Sequence, residues 1–432
     1  MKYQNPILRG FHPDPSICRN GKDYYLATST FCYFPGIALH HSTDLLNWKR
    51  IGYALTNENF PEFFAADESG GIWAPTIRFN PYNDMYYIAV AIEGAGNCIL
   101  HAKNPEGPWS KPVWVHSGGI DPSLLFENGE CIYCVNAWEN REKPVIVAAR
   151  INPDTGEILE PLRDLWNGTG GGWLEAPHLY HIGQYYYVFA AEGGTGMGHM
   201  ENVARSVKLY GPYETCPANP VLTNRNDTAK KIHCTGHADI VQDIDGKWWM
   251  VHLGVRSGVL DLSQLGRETF LTPFSFSEGW PCLKGKMARL EEECPTAVRQ
   301  YKGGMLEDDF TEETFPSFWQ TVGRPSRDVF KRENGLLTVN PSRRHTDTSS
   351  YEMLLTVQPD FDFELMAEAG APETNTVVSG VILYNTCSFW CFFGVRKEDE
   401  ELEAVLWRKA GDFFEERVIE KKFHRQENRP FS

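Results

Sequence analysis

Asp14-Pro15-Ser16-Ile17-Cys18-Arg19-Asn20-Gly21-Lys22-Asp23-Tyr24-Tyr25-Leu26 is the stretch that decides the fold of this chain. It holds a short polar opening, a turn rich in Asn and Gly, and an aromatic run, which reads as a hairpin leading into a buried strand. The same plan recurs four times. Tyr86-Tyr87-Ile88, Ile132-Tyr133-Cys134, Tyr185-Tyr186-Tyr187 and Trp248-Trp249-Met250 are the later aromatic runs. Ala74-Pro75-Thr76-Ile77, Asp121-Pro122-Ser123-Leu124, Ala176-Pro177-His178-Leu179 and His237-Ala238-Asp239-Ile240 are the later openings. From the second residue of each opening the intervals are 60, 47, 55 and 61 residues. Several copies add a third element, such as Gly107-Pro108-Trp109 and Gly211-Pro212-Tyr213. Units of this length in a fixed order predict an all-β protein whose residues 1–300 form a five-bladed β-propeller. An all-β sandwich with incidental similarity is the competing reading, and the shared order of elements argues against it.

Composition agrees. The chain of 432 residues carries 13 Trp, 18 Tyr and 25 Phe, together with 38 Gly and 27 Pro, a mix suited to many short strands joined by turns. The formal net charge is −16, without a run of Lys and Arg, so a nucleic-acid partner is not expected. No stretch approaches the roughly 18 apolar residues of a membrane helix, so no membrane partner is expected either. Met1 to Pro6 lacks the apolar stretch of an export signal, and the 11 cysteines are scattered rather than framed, so a cytoplasmic setting with reduced thiols is expected. Cys131 and Cys134 form a C-x-x-C inside an apolar strand pattern; a structural role is expected there, not zinc or redox chemistry.

A propeller brings equivalent positions of every blade to one axis. The residue before the shared Pro is then expected near the start of each innermost strand, at one mouth of the channel. Those positions hold Asp14, Ala74, Asp121, Ala176 and His237, with Trp73 and Glu175 immediately adjacent. An Asp before Pro often just caps a turn. Two at the same repeat position, with Glu175 beside a third, point instead to convergent carboxylates. Crowded carboxylates push one another's pKa values apart, so that one serves as base and another as acid. Glycoside hydrolysis requires that division. From spacing alone His237 reads as a buried, hydrogen-bonded histidine and Trp73 as core or as pocket wall.

Longer motifs sharpen this. Asn5-Pro6-Ile7-Leu8 with Gly10-Phe11-His12-Pro13-Asp14-Pro15-Ser16, Gly70-Gly71-Ile72-Trp73-Ala74-Pro75, Glu175-Ala176-Pro177-His178-Leu179-Tyr180, Gly236-His237-Ala238 and Leu265-Gly266-Arg267-Glu268-Thr269 together resemble glycoside hydrolase family 43, in its bacterial β-xylosidase and α-L-arabinofuranosidase branch. The resemblance implies an inverting hydrolase. It makes Asp14 the general base, Glu175 the general acid and Asp121 the group that raises and orients the acid. It gives Arg267 to the sugar hydroxyls, Phe31 and Trp73 to the pocket walls, and places Thr195 close by. His237 would lie near the channel, where some members bind Ca2+ through the matching histidine and waters; no cofactor is required for the chemistry. Inversion leaves room for water, so roughly 6.5–9.5 Å is expected between the Asp14 and Glu175 carboxyls.

Residues 306–432 are expected to form a second domain, a jelly-roll or concanavalin-like β-sandwich, short for its kind. Phe361-Asp362-Phe363-Glu364-Leu365 and much of Val377 to Val395 alternate with period two and read as strands, while Lys421 to Ser432 does not. The leading function is release of xylose from short xylo-oligosaccharides. The alternatives are α-L-arabinofuranosidase or dual activity, an endo-acting arabinanase, a non-catalytic carbohydrate-binding propeller and a protein-interaction propeller. A homo-oligomer is compatible with all of them.

Overall fold

The computed structural model describes residues 2–60, 68–138, 142–258, 262–294, 304–324, 329–340, 353–370, 372, 377–398 and 401–423. Five antiparallel sheets of the repeat plan follow one another along the chain. Blade I comprises Ser16–Asn20, Asp23–Thr28, Gly36–Ser42 and Lys49–Leu55. Blade II comprises Ile72–Asn80, Met85–Ile92, Gly96–Ala102 and Val113–Val115. Blade III comprises Ser123–Glu127, Glu130–Ala137, Val145–Asn152 and Glu157–Ile158, with Arg163–Trp166 also pairing its third strand. Blade IV comprises Glu175–Ile182, Tyr185–Glu192, Met200–Ser206 and Glu214–Thr215. Blade V comprises Ile232–Gln242, Trp248–Arg256, Glu268–Ser277 and Trp280–Cys282. The first strands neighbour one another in a closed ring, I to II to III to IV to V and back to I. The hairpins are tight: Glu127 pairs with Glu130 across Asn128-Gly129, both at positive φ, the signature of a type I′ turn.

The paired aromatics now have a physical reason. Successive strand residues point to opposite faces, and each blade packs on two neighbours. Tyr86 therefore enters the core between blades I and II, while Tyr87 enters the core between II and III. Tyr186 serves the III–IV interface and Tyr187 the IV–V interface. Trp248 packs into the IV–V core and Trp249 into the V–I core. The hydrophobic core is thus five clusters, one per blade interface. Cys131 and Cys134 fall under the same rule. An odd separation sends them into different interfaces, so they cannot share a metal or a disulfide.

The ring is closed by non-covalent contacts of the N-terminal segment. Lys2–Gln4 pairs with Glu291–Glu293. Asn5 Nδ2 donates to the Leu271 carbonyl at 2.8 Å and Asn5 Oδ1 accepts from Leu271 N at 3.0 Å. Leu8 bridges to Thr269.

By compactness the described residues fall into two units, one holding those up to 340 and 353–361, the other those from 362 onward. Part of the span expected for the second domain therefore lies with the first: Gln320–Val322 pairs with Tyr33–Phe34 of the propeller chain and with Leu354–Leu355. The second unit presents a four-stranded antiparallel sheet, Val378–Thr386, Phe389–Glu398, Glu401–Ala410 and Phe413–Phe423. The fold class expected from sequence, a propeller followed by a β-sandwich domain, holds. Two local expectations do not. Residues 361–365 are not a strand: among the described residues no strand pairs with them, and Phe363 and Leu365 stand exposed. The last strand runs to Phe423, into the stretch expected to be irregular, and residues 424–432 lie outside the described residues.

Candidate active site

The five positions before the shared Pro are equivalent in backbone as well as in sequence. Asp14, Ala74, Asp121, Ala176 and His237 all adopt left-handed conformations, with φ of 52°, 45°, 56°, 54° and 53°. Non-glycine residues avoid that region at a cost of order 1–3 kcal/mol each, and persist there where the surroundings over-determine them. Register shifts accompany the turn: between Trp73 and Thr76 in blade II, between Glu175 and His178 in blade IV, and either side of Gly236 in blade V. Such bulges re-aim side chains at the rim of a sheet.

Asp14 is buried and fully engaged. Its Oδ1 accepts from Arg267 Nη1 at 2.8 Å, and Oδ2 accepts from Ser29 Oγ at 2.6 Å. His237 Nδ1 lies 3.7 Å from Oδ1. Burial alone would raise this carboxyl, but the Arg267 charge, then His237 and the Ser29 hydroxyl, outweigh it and hold the pKa below the ordinary Asp range. Asp14 is therefore an anion at neutral pH.

Asp121 and Glu175 behave oppositely. Asp121 is buried, and its Oδ2 accepts from the Ala176 amide at 2.9 Å. Burial, then repulsion from Glu175 and Asp14, pushes it well up. Glu175 is raised to about 7, first by burial and then by the Asp14 charge, with Arg267 acting against both. The two form a coupled pair that keeps a proton near neutrality. The ring thus holds one fixed anion and two carboxyls raised by burial and repulsion.

Arg267 is held in place from three sides. Its guanidinium carbon sits 4.8 Å from the centre of the Phe31 ring, a cation–π contact. Its carbonyl accepts from His12 N at 2.9 Å. The next residue, Glu268, is fully buried, accepts from Arg256 at 2.6 and 2.8 Å and from the Gly10 amide at 2.7 Å. Phe31 packs on Phe11, ring centres 5.7 Å apart. Gly236 precedes His237 because a Cβ there would stand 2.7 Å from the buried His199 ring.

Beneath this layer Asp239 ties four blades together. It accepts from Ser16 Oγ at 2.6 Å, Ile17 N at 3.0 Å and Arg78 Nη1 at 2.7 Å, and from the Tyr180 hydroxyl. Arg78 Nη2 in turn donates to His178 Nδ1 at 3.0 Å. Removing one partner of such a buried ion network costs about 3–5 kcal/mol.

Of the residues singled out from sequence, Asp14, Asp121, Glu175, His237, Arg267 and Phe31 are linked by contact or by electrostatic coupling. Trp73 is half-buried, its indole N–H donating to the Ser69 carbonyl at 3.0 Å, and it adjoins Ala74 in the ring. Thr195 is exposed on the loop after Glu192, without a bond to the carboxylates among those described. Arg267 engages Asp14, a partner the resemblance did not supply. Ser29, His199 and Asp239 were not singled out from sequence; each acts through a neighbour, and only Asp239 carried a signal, by its place in the fifth opening.

A directly bound calcium ion needs about six to eight oxygen ligands. His237 offers nitrogen, and the carboxylate oxygen nearest to it already takes Arg267. Among the described residues no three His, Cys, Asp or Glu side chains converge on a common point. With His237 as its protein ligand, an ion here would depend on waters for the rest of its shell, and no step below involves one.

Residues 3–281 match the family described as glycosyl hydrolases family 43. A non-reducing end α-L-arabinofuranosidase of Bacteroides ovatus is 42% identical over 334 residues, 75% of this chain and 62% of the relative. A β-xylosidase of Bacillus subtilis is 32% identical over 437 residues, 94% of this chain and 81% of the relative. Among solved structures, a xylan β-1,4-xylosidase from Bacillus halodurans superposes with a TM-score of 0.87 at 28% identity, covering 98% of this chain and 85% of that one. The chain thus spans less than two thirds of the arabinofuranosidase and more than four fifths of the xylosidases.

Proposed function

The chain belongs to glycoside hydrolase family 43, and from that premise we propose an inverting exo-glycosidase that releases xylose from short xylo-oligosaccharides. One observation carries the reading: the ring holds Asp14 ionised against burial while it holds Glu175 up at about 7. A base and an acid are then both in their working states near neutral pH. Asp14 takes a proton from a water molecule as that water's oxygen bonds the anomeric carbon. On the opposite face the bond from that carbon to the leaving oxygen breaks, and Glu175 delivers its proton to that oxygen. Net, one water is consumed, and solvent exchange returns both carboxyls to their starting states. Arg267 and His237 keep Asp14 charged in a buried place; Asp121 holds the backbone next to Glu175.

A second reading, α-L-arabinofuranosidase or dual activity, is favoured by the 42% identity to a relative of that name. A non-catalytic sugar-binding propeller has no use for the opposed protonation states. We place this activity in the cytoplasm, on short imported substrates, because the eleven cysteines are scattered without a framework. The deciding experiment follows xylobiose and arabinose-substituted xylo-oligosaccharides by proton NMR. Xylobiose turnover giving α-xylose first supports the proposal. Faster arabinose release supports the second reading. β-Xylose as first product means retention and overturns the mechanism, and binding without turnover leaves a lectin-like module.

A further inference from the structure

Two blade junctions of the ring tie the opening carboxyl of one blade to the opening amide of the next, one directly and one through a spacer. At the III–IV junction the Asp121 carboxylate accepts directly from the Ala176 amide, 2.9 Å away. At the I–II junction the matching amide, Ala74 N, does not reach Asp14. It donates to Ser29 Oγ at 2.6 Å, and Ser29 Oγ donates to Asp14 Oδ2 at 2.6 Å. A hydroxyl is thus inserted between carboxylate and amide where the proposed base stands.

The direction of this chain of bonds is fixed. An amide can only donate, so Ser29 must accept from Ala74. Its single proton is then left for Asp14, which must be an acceptor there. Ser29 is almost wholly buried, at 1% exposure, and its own amide donates to the Pro13 carbonyl at 3.0 Å, so the hydroxyl does not turn to solvent. The spacer leaves Oδ1 to Arg267 at 2.8 Å.

We propose that Ser29 is a positioning residue for the general base: its hydroxyl suspends the Asp14 carboxylate from the Ala74 amide and orients it for water. It touches neither sugar nor water, and acts through Asp14. The inference rests on the hydrolase reading above. The same bond adds to Arg267 and His237 in keeping Asp14 ionised.

The test is the pH profile of kcat/KM for xylobiose, or for whichever substrate the native protein turns over, in Ser29→Ala. Loss of a donor to the carboxylate raises the pKa of the base. The acidic limb then moves to higher pH by about half to one unit, kcat at the optimum falls about tenfold, KM changes little, and the basic limb stays. A folded Ser29→Ala whose acidic limb coincides with the native one overturns the proposal, whatever its melting temperature. If Ser29→Ala does not accumulate as folded protein, Ser29→Cys, similar in volume but a poor donor, takes the same measurement with the same two outcomes. Native protein inactive on every glycoside tested overturns the hydrolase reading itself, a different result from an active native protein with an unmoved Ser29→Ala limb.

Discussion

Two carboxylate settings lie on opposite sides of one ring. Asp14 has an arginine, a histidine and a hydroxyl turned toward it. Asp121 has a backbone amide and the repulsion of Glu175 and Asp14, Glu175 the repulsion of Asp14, and Arg267 acts on both only as a lesser opposing charge. Burial is common to both sides and raises all three acids. What separates them is the placement of cationic and hydrogen-bonding groups. Depth sets how large a pKa shift can be, and the neighbours choose its sign.

The largest test of that contrast removes the anion. Asp14→Ala is expected to cut kcat on xylobiose by about 10⁴-fold, with equal loss on activated aryl xylosides, because leaving-group help cannot replace a base. A rate within tenfold of native on either substrate would mean the fixed anion is not the base. Next comes Glu175→Ala. Its loss on xylobiose is expected at about 10³-fold, and much smaller on aryl glycosides whose leaving groups need little protonation; equal losses on both would remove it as the acid. The contrast can also be read without mutation. Since the acid works protonated and sits at about 7, kcat/KM should fall as pH rises through that value. A profile flat to pH 9 breaks the assignment.

Asp121→Asn is a finer probe. It deletes one member of the coupled pair, so the remaining carboxyl loses a repulsive partner. The basic limb should move to lower pH by roughly one unit, with kcat at the optimum reduced by about 10²-fold. An upward move would contradict the shared-proton picture. Smallest of all, Thr195→Ala should change kcat/KM less than about threefold, in line with the small effect of exposed substitutions. A tenfold loss would give Thr195 the pocket role that the family resemblance implies.

The blades were legible because their signal repeats. One aromatic run is ambiguous, but five in a fixed order of elements are not, and the paired apolar residues reflect two interfaces per blade. The site was legible to the extent that it uses the repeat: Asp14, Asp121 and His237 occupy one position of it, and Glu175 and Trp73 adjoin it. Arg267 and Phe31 needed the longer motifs, since they approach Asp14 from outside the repeated openings. Ser29 escaped altogether. A serine at a strand end has many uses, and its meaning here depends on an amide 45 residues away in the next blade. The strand expected at 361–365 failed for the converse reason: alternation fixes which way side chains point, but a strand also needs a neighbour.

The non-covalent seam between the first residues and the fifth blade bears on when this protein becomes active. Arg267, which keeps Asp14 charged, follows it by 253 residues, and the Asn5–Leu271 clasp spans 266. Chains fold from the N-terminus as they are made, and contacts this distant form late. Four finished blades therefore carry all three carboxylates and lack the arginine that tells them apart. Arrival of the fifth closes the wheel and, in the same event, brings Arg267 and His237 to Asp14, the two groups that together with Ser29 hold it charged.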